Sequence, residues 1–351
     1  APVADAAVSA DNGGGSDIAG ADGYYEVTVP YDWSGTVTAT KAGWDMSPAS
    51  RAYSNVIADQ TSENYSAFQP RISGYVLEAS GGPAVGVALA ADGGGGSDIS
   101  DAAGYYEITV PFNWSGTVTP DKAGWGFDPM SRSYTSVTAD ETNQDYTAFQ
   151  PIISGYVTDN NGLACVGYLV ATDDANGSDV TDSNGYYEFL VPYDWSGTVT
   201  PQKLFWFFEP ASRAYINLIA DAANQDYAGI EGVRISGTVL NFAGVGIPGV
   251  EVSADNGGRS DTTDGSGFYE LAVPPGWSGT VAPNKPGRSF EPSDRSYTDV
   301  AAHLTGQDYL SVGLTVRADG AEIRGLHLTG SGQSFDAVDA GVLLEADDTV
   351  I

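Results

Sequence analysis

Asp92, Asp98 and Asp101 flank the glycine run 93–96, and Asp173, Asp174, Asp179 and Asp182 flank the matching segment further along the chain. Asp11, Asp17 and Asp22, and again Asp255, Asp261 and Asp264, take the same places in two further copies. Carboxylate oxygens on a loop are what Ca²⁺ selects, so Ca²⁺ is the one cofactor these residues suggest. No Asp-x-Asp-x-Asp-Gly run with a closing Glu is present, and aspartates also serve tight turns by accepting hydrogen bonds from their own backbone.

The cations are more selective. Of 14 basic residues, eight fall at two recurring positions: Lys41, Lys122, Lys203 and Lys285, and Arg51, Arg132, Arg213 and Arg295. In a chain of net charge −32, cations kept at equivalent places imply fixed partners. Asp145, Asp226 and Asp308 recur with them, with Asn64 in the first copy. They predict partly buried ion pairs, the lysine stem lying on a tryptophan face. A sharper alternative is a covalent lysine–Asn/Asp crosslink. It would staple a module where disulfides cannot, since Cys165 is the only cysteine. Trp33, Trp114, Trp195 and Trp277 are equally periodic. They suit either core packing or an exposed ladder for stacking sugars. His303 and His327 are the only histidines, and neither stands in a metal or triad spacing. No Gly-x-Ser-x-Gly, phosphate loop or zinc motif appears, so no enzyme activity is expected within these residues.

These residues are positioned by a repeat. Gly-Tyr-Tyr-Glu precedes Val-Pro and Trp-Ser-Gly-Thr-Val three times, and a fourth time with Phe268 for the first tyrosine. A repeat of this kind redefines the fold problem, because each unit must be one supersecondary or domain-sized module. The boundaries are 1–70, 71–151, 152–231 and 232–312, followed by a tail, 313–351. In the second copy, Ile72 to Leu77 and Val85 to Ala91 read as strands, and Tyr105 to Val110 alternates with the period of two that a strand requires. Trp114 to Thr119 and Asn143 to Phe149 follow, and no segment carries helix periodicity with caps. The expected fold is all-β: four tandem antiparallel β-sandwiches, Ig-like or prealbumin-like, of six or seven strands each. The first copy lacks a counterpart of Arg71 to Val76. Joints such as Phe68-Gln69-Pro70-Arg71 are short and stiffened by proline, while Gly229-Ile230-Glu231-Gly232 should bend more easily. At about 3.3 Å per strand residue, the four modules would make a rod on the order of 100–150 Å long.

The run from Gly82 through Pro83 and Val85, then Asp101, Gly104, Tyr105 and Tyr106, then the Lys122 turn and Phe127-Asp128-Pro129, resembles the carboxypeptidase regulatory-like domains. These are prealbumin-like sandwiches found in tandem in large bacterial surface and secreted proteins. The resemblance covers about residues 1 to 311 and implies spacers, stalks and adhesive or accessory modules rather than catalysts. The tail, with Leu314, Ile323, Gly325, Gly341 and Ile351 among short apolar strands and Asp-Gly or Gly-Ser turns, is similar to the opening rungs of a pectate-lyase-type parallel β-helix. The resemblance implies that more protein follows Ile351 and that any catalysis lies there.

The acidic charge argues against nucleic acid and anionic membranes as partners. No apolar run reaches the ~18 residues of a membrane helix. The expected role is an extracellular, cell-surface stalk or fibre segment, a structural or adhesive protein that forms filaments by strand addition between copies. Its partners would be further copies of itself or cell-surface polysaccharide. The alternative is a set of accessory modules of a secreted β-helix protein acting on polysaccharide.

Overall fold

A computed structural model describes residues 1–312, and every regular element in it is a β-strand. The tail, and with it the expected β-helix rungs, lies outside the described residues. Two compact units are formed. The first comprises Ala1–Pro151, Leu190–Ser196 and Ile216–Asp221; the second comprises Ile152–Phe189, Gly197–Tyr215 and, of the described residues, 222–312.

The first module holds β1 (Ala7–Ala10), β2 (Ser16–Ile18), β3 (Trp33–Thr40), β4 (Asp45–Ser47), β5 (Ser50–Val56) and β6 (Ser66–Phe68). The second is fuller: β7 (Arg71–Glu78), β8 (Ala88–Ala91), β9 (Ser97–Ile99), β10 (Tyr105–Thr109), β11 (Trp114–Asp121), β12 (Gly126–Asp128), β13 (Arg132–Val137) and β14 (Tyr146–Phe149). Alternation sets which side chains enter the core. On β7, Ile72, Gly74 and Val76 point inward while Arg71, Tyr75 and Leu77 are exposed. On β10, Tyr106 and Ile108 are buried. These residues meet Leu89, Trp114, Val118, Phe127, Val137 and Tyr146 in one apolar cluster. Full burial of each such side chain contributes about 1.5–3 kcal/mol before chain entropy is set against it.

The sandwich sheets have the orders β10-β7-β14-β12 and β13-β11-β8-β9, and the same pattern recurs in the third and fourth modules. The expected antiparallel arrangement needs one correction. β14 runs parallel to β7, with Tyr146 opposite Val76, and the corresponding strands of the later modules are parallel too. The closing strand enters beside the opening one after crossing from the other sheet, so the two travel the same way. Gly74 marks the crossing: a Cβ placed there would come within 2.6 Å of the Gln144 backbone.

The first module keeps the sheet β2-β1-β3-β5, but its other sheet is reduced to β4 and β6. With no counterpart of β7 among the described residues, Tyr24 to Thr28, the equivalents of β10, are not in a strand.

Candidate functional site

The loop aspartates build their own turns. Asp92 accepts the Trp114 indole N–H on its main-chain oxygen at 3.0 Å and the Thr117 N–H on Oδ1 at 2.8 Å. Asp11 and Asp255 repeat both bonds, and Asp173 Oδ1 accepts from Thr198 N. Asp98 and Asp179 accept the Glu107 and Glu188 N–H groups at 2.7 and 2.9 Å. Asp101 accepts from Ala103 and Tyr105, and Asp182 from Asn184 and Tyr186. Asp174 takes both the main-chain and side-chain N–H of Asn176. The Tyr186 and Asn184 N–H groups hold the Asp182 carboxyl below the usual range. Among the described residues, no three Asp, Glu, His or Cys side chains converge to hold a metal. Melting with and without EDTA tests the Ca²⁺ reading: a drop on chelation would support Ca²⁺ as a staple, and identical melting would remove it.

The recurring arginine grips main chain. Arg132 lies over the Tyr146 ring, 5.4 Å from its centroid, and Nη2 donates to the Asp145 main-chain oxygen at 2.7 Å. Arg51, Arg213 and Arg295 do the same to Asn64, Asp226 and Asp308, over Tyr65, Tyr227 and Tyr309. The residues paired in the sequence therefore do meet, but at a carbonyl. The carboxylates of Asp145, Asp226 and Asp308 instead accept the N–H groups of Tyr75, Tyr156 and Thr238 at 2.8, 2.8 and 2.7 Å. Arg51 alone of this set adds an ion pair, 3.3 Å to Glu63, because Glu63 stands where later copies have Gln144, Gln225 and Gln307.

Lys122 Nζ donates to the Val85 oxygen at 2.9 Å and sits 4.9 Å over the Trp125 ring. Lys41 bonds Ala4 over Trp44, Lys285 bonds Pro248, and Lys203 lies over Tyr168. Lys122 and Asp145 thus spend their polar atoms on different main-chain segments. The intact mass should equal that of the uncrosslinked sequence; loss of one water or ammonia per module would establish the lysine crosslink.

The tyrosines complete a clamp that sequence reasoning passed over. Tyr106 donates to the Gln144 oxygen at 2.6 Å, Tyr134 to Gln144 Oε1 at 3.0 Å, and Tyr146 to the Val118 oxygen at 3.0 Å. Tyr187 and Tyr269 grip Gln225 and Gln307 in the same way. The fixed separation of each core tyrosine from its Glu or Gln was the available signal. Burial raises the hydroxyls of Tyr106, Tyr187 and Tyr269 far above the ordinary 10, and brings Tyr134 to about 12. Below pH 10 both folded and unfolded tyrosines keep their protons, and this contribution is full. Above it the unfolded chain loses protons first, so stability is lost as pH climbs toward the folded values. Melting scans should therefore show stability falling from about pH 10 upward, with the phenolate absorbance of the buried tyrosines rising only as the modules unfold.

Trp33, Trp114, Trp195 and Trp277 are each 5% exposed. They are core residues, and the sugar-stacking ladder suggested for them is excluded by burial. Trp44, Trp125 and Trp206 are half-buried, and Trp125 packs against the core of its own module. Within the first unit, the Gly43 oxygen accepts from Phe112 N and Gln69 Nε2, and the Gly124 oxygen from Tyr193 N and Gln150 Nε2. Both glycines have φ near +75 and face Pro111 and Pro192. In the second unit this turn carries Phe205 at φ +64. Pro275, lacking an N–H, stands where Phe112 and Tyr193 donate. Gly232 N donates to Phe205 O at 2.7 Å instead. Arg234 and Arg259 lie over Phe205 and Phe207, and Arg259 also bonds the Trp206 oxygen. The 229–232 link, expected to bend easily, is strand through Glu231 and is gripped at Gly232.

No family model matches the chain. Chitinase ChiA of Flavobacterium johnsoniae is 31% identical over an alignment of 221 residues that covers 59% of this chain and 14% of that protein. The chain thus spans only a small part of that relative's length. Among solved structures, the Bacillus anthracis TIE protein is 11% identical with a TM-score of 0.27, over 88% of this chain and 68% of that one. The streptococcal ancillary pilin is 7% identical at 0.28, over 70% and 99%. BcpA, the major pilin subunit of Bacillus cereus, is 11% identical at 0.24, over the same shares. At these scores they add no argument about what the chain does.

Proposed function

We propose that residues 1–312 are a structural segment of an extracellular surface protein, a tandem array of carboxypeptidase regulatory-like sandwiches that spaces or displays what it is joined to. The observation that carries this is how the periodic residues are spent. The recurring arginine and tyrosines, and the lysine in three of the four modules, hold the main chain of their own module. The periodic tryptophans fill cores. No helix among the described residues is long and apolar enough to cross a membrane.

The finer form of this reading is assembly between copies, a strand of one sandwich adding to an exposed sheet edge of another. Sedimentation should then show self-association that rises with concentration; a chain that stays monomeric at high concentration would overturn it.

A second reading is favoured by the chitinase relative: accessory modules that hold a larger secreted protein on polysaccharide. Retention of the chain on insoluble chitin tests it directly.

A further inference from the structure

With the four periodic tryptophans buried, tyrosines are prominent among the exposed aromatic rings, and two modules carry them as a matched pair. Tyr75 and Tyr105 are directly opposite in the β7–β10 ladder, their ring centroids 5.4 Å apart and edge to face. Tyr156 and Tyr186 repeat the pair at 5.2 Å. Tyr75 is 45% and Tyr156 44% exposed, and their partners Tyr105 and Tyr186 are half-buried, so each pair shows one open ring and part of a second on the outer face of the sheet.

Both pairs are held in place from two sides. The backbone of Tyr75 is fixed by Asp145 and that of Tyr156 by Asp226, each at 2.8 Å. The Tyr105 hydroxyl donates to Glu107, and the Tyr186 hydroxyl to Glu188. Cross-strand aromatic pairs stabilise a sheet modestly, which would explain a ring at each position. It does not explain the pattern of change around them. Between the two modules the outward positions on the same strands differ: Arg71 becomes Ile152, Leu77 becomes Thr158 and Thr109 becomes Leu190. The two tyrosines and the glutamate are unchanged.

We propose that each of these tyrosine pairs is a binding platform for a neutral polysaccharide, the rings stacking on the apolar faces of the sugars and Glu107 or Glu188 accepting their hydroxyls. Charge selects the ligand class. The net charge of −32 on the chain repels uronates and sulfated glycans; at the first pair Arg71 holds Glu107 at 2.6 Å, so Glu188 is the freer acceptor. Flat sugar rings with hydroxyl rims match an aromatic surface bordered by acceptors. The platform deepens the second reading above and rests on it for the choice of chitin as probe.

The test is retention of the full chain on insoluble chitin, with a Tyr75→Thr/Tyr156→Thr double variant and a Tyr75→Phe/Tyr156→Phe double variant. Thr238 occupies this position in the fourth module, so threonine is a residue the fold already accepts, and melting scans verify that both variants are folded. The expected result is binding by the wild type and by the phenylalanine variant, with the threonine variant weakened about tenfold or more. Equal binding by the threonine variant overturns the platform while leaving the polysaccharide reading intact. No retention of the wild type overturns both.

Discussion

Gly74→Ala should unfold the second module at a temperature at which the wild type is intact, with a loss of about 3 kcal/mol. The added Cβ would lie 2.6 Å from the Gln144 carbonyl carbon and 2.7 Å from its oxygen. Those atoms belong to the main chain that Tyr106 and Arg132 grip on either side. They cannot step aside as a flexible side chain would. Relief requires β7 and the entry to β14 to part, which disrupts their parallel pairing from Val76 onward. Gly155 and Gly237 meet Gln225 and Gln307 at 2.6 and 2.5 Å, so the same change there should destabilise the third and fourth modules. Calorimetry of the three variants checks this; an alanine tolerated at position 74 without a shift would show that the crossing is looser than described.

Trp114→Ala should cost the second module about 3–5 kcal/mol, the range for removing a large buried aromatic. The indole packs against Tyr134 with centroids 6.0 Å apart, and its N–H is the donor that closes the Asp92 loop. The variant therefore loses core volume and leaves the loop carbonyl without its partner. Trp114→Phe should recover part of the packing but not the hydrogen bond. Trp125, half-buried at the edge of the same cluster, is the internal comparison: its alanine variant removes less buried area and should shift melting less. Denaturant unfolding followed by fluorescence separates the two.

Much of the sandwich was legible because strand alternation is local. Ile72, Val76, Tyr106 and Ile108 declare their faces by period alone. The parallel meeting of β7 and β14 was not legible, since it joins residues some seventy positions apart through a crossing. Val85 to Ala91 read as one strand but begins only at Ala88, because Gly86 turns at φ +75. Repetition correctly singled out Arg132 and Asp145 as neighbours. It could not say that a carbonyl rather than a carboxylate would receive the guanidinium, because both belong to the same residue. Nor could it tell Tyr105 from Tyr106: adjacent letters of one motif, one faces solvent and the other is fully buried.

That the recurring anchors end on carbonyls bears on how such a chain can lengthen. Arg51 holds an asparagine where Arg132 holds an aspartate, and Tyr25 grips Glu63 where Tyr106 grips Gln144. The contact survives because the receiving atom is present whatever side chain stands there. Half of each interaction is therefore immune to point mutation, and a duplicated module can drift at those positions without a compensating change elsewhere. An array held in this manner is free to grow by copying and to diversify on its outer faces afterwards.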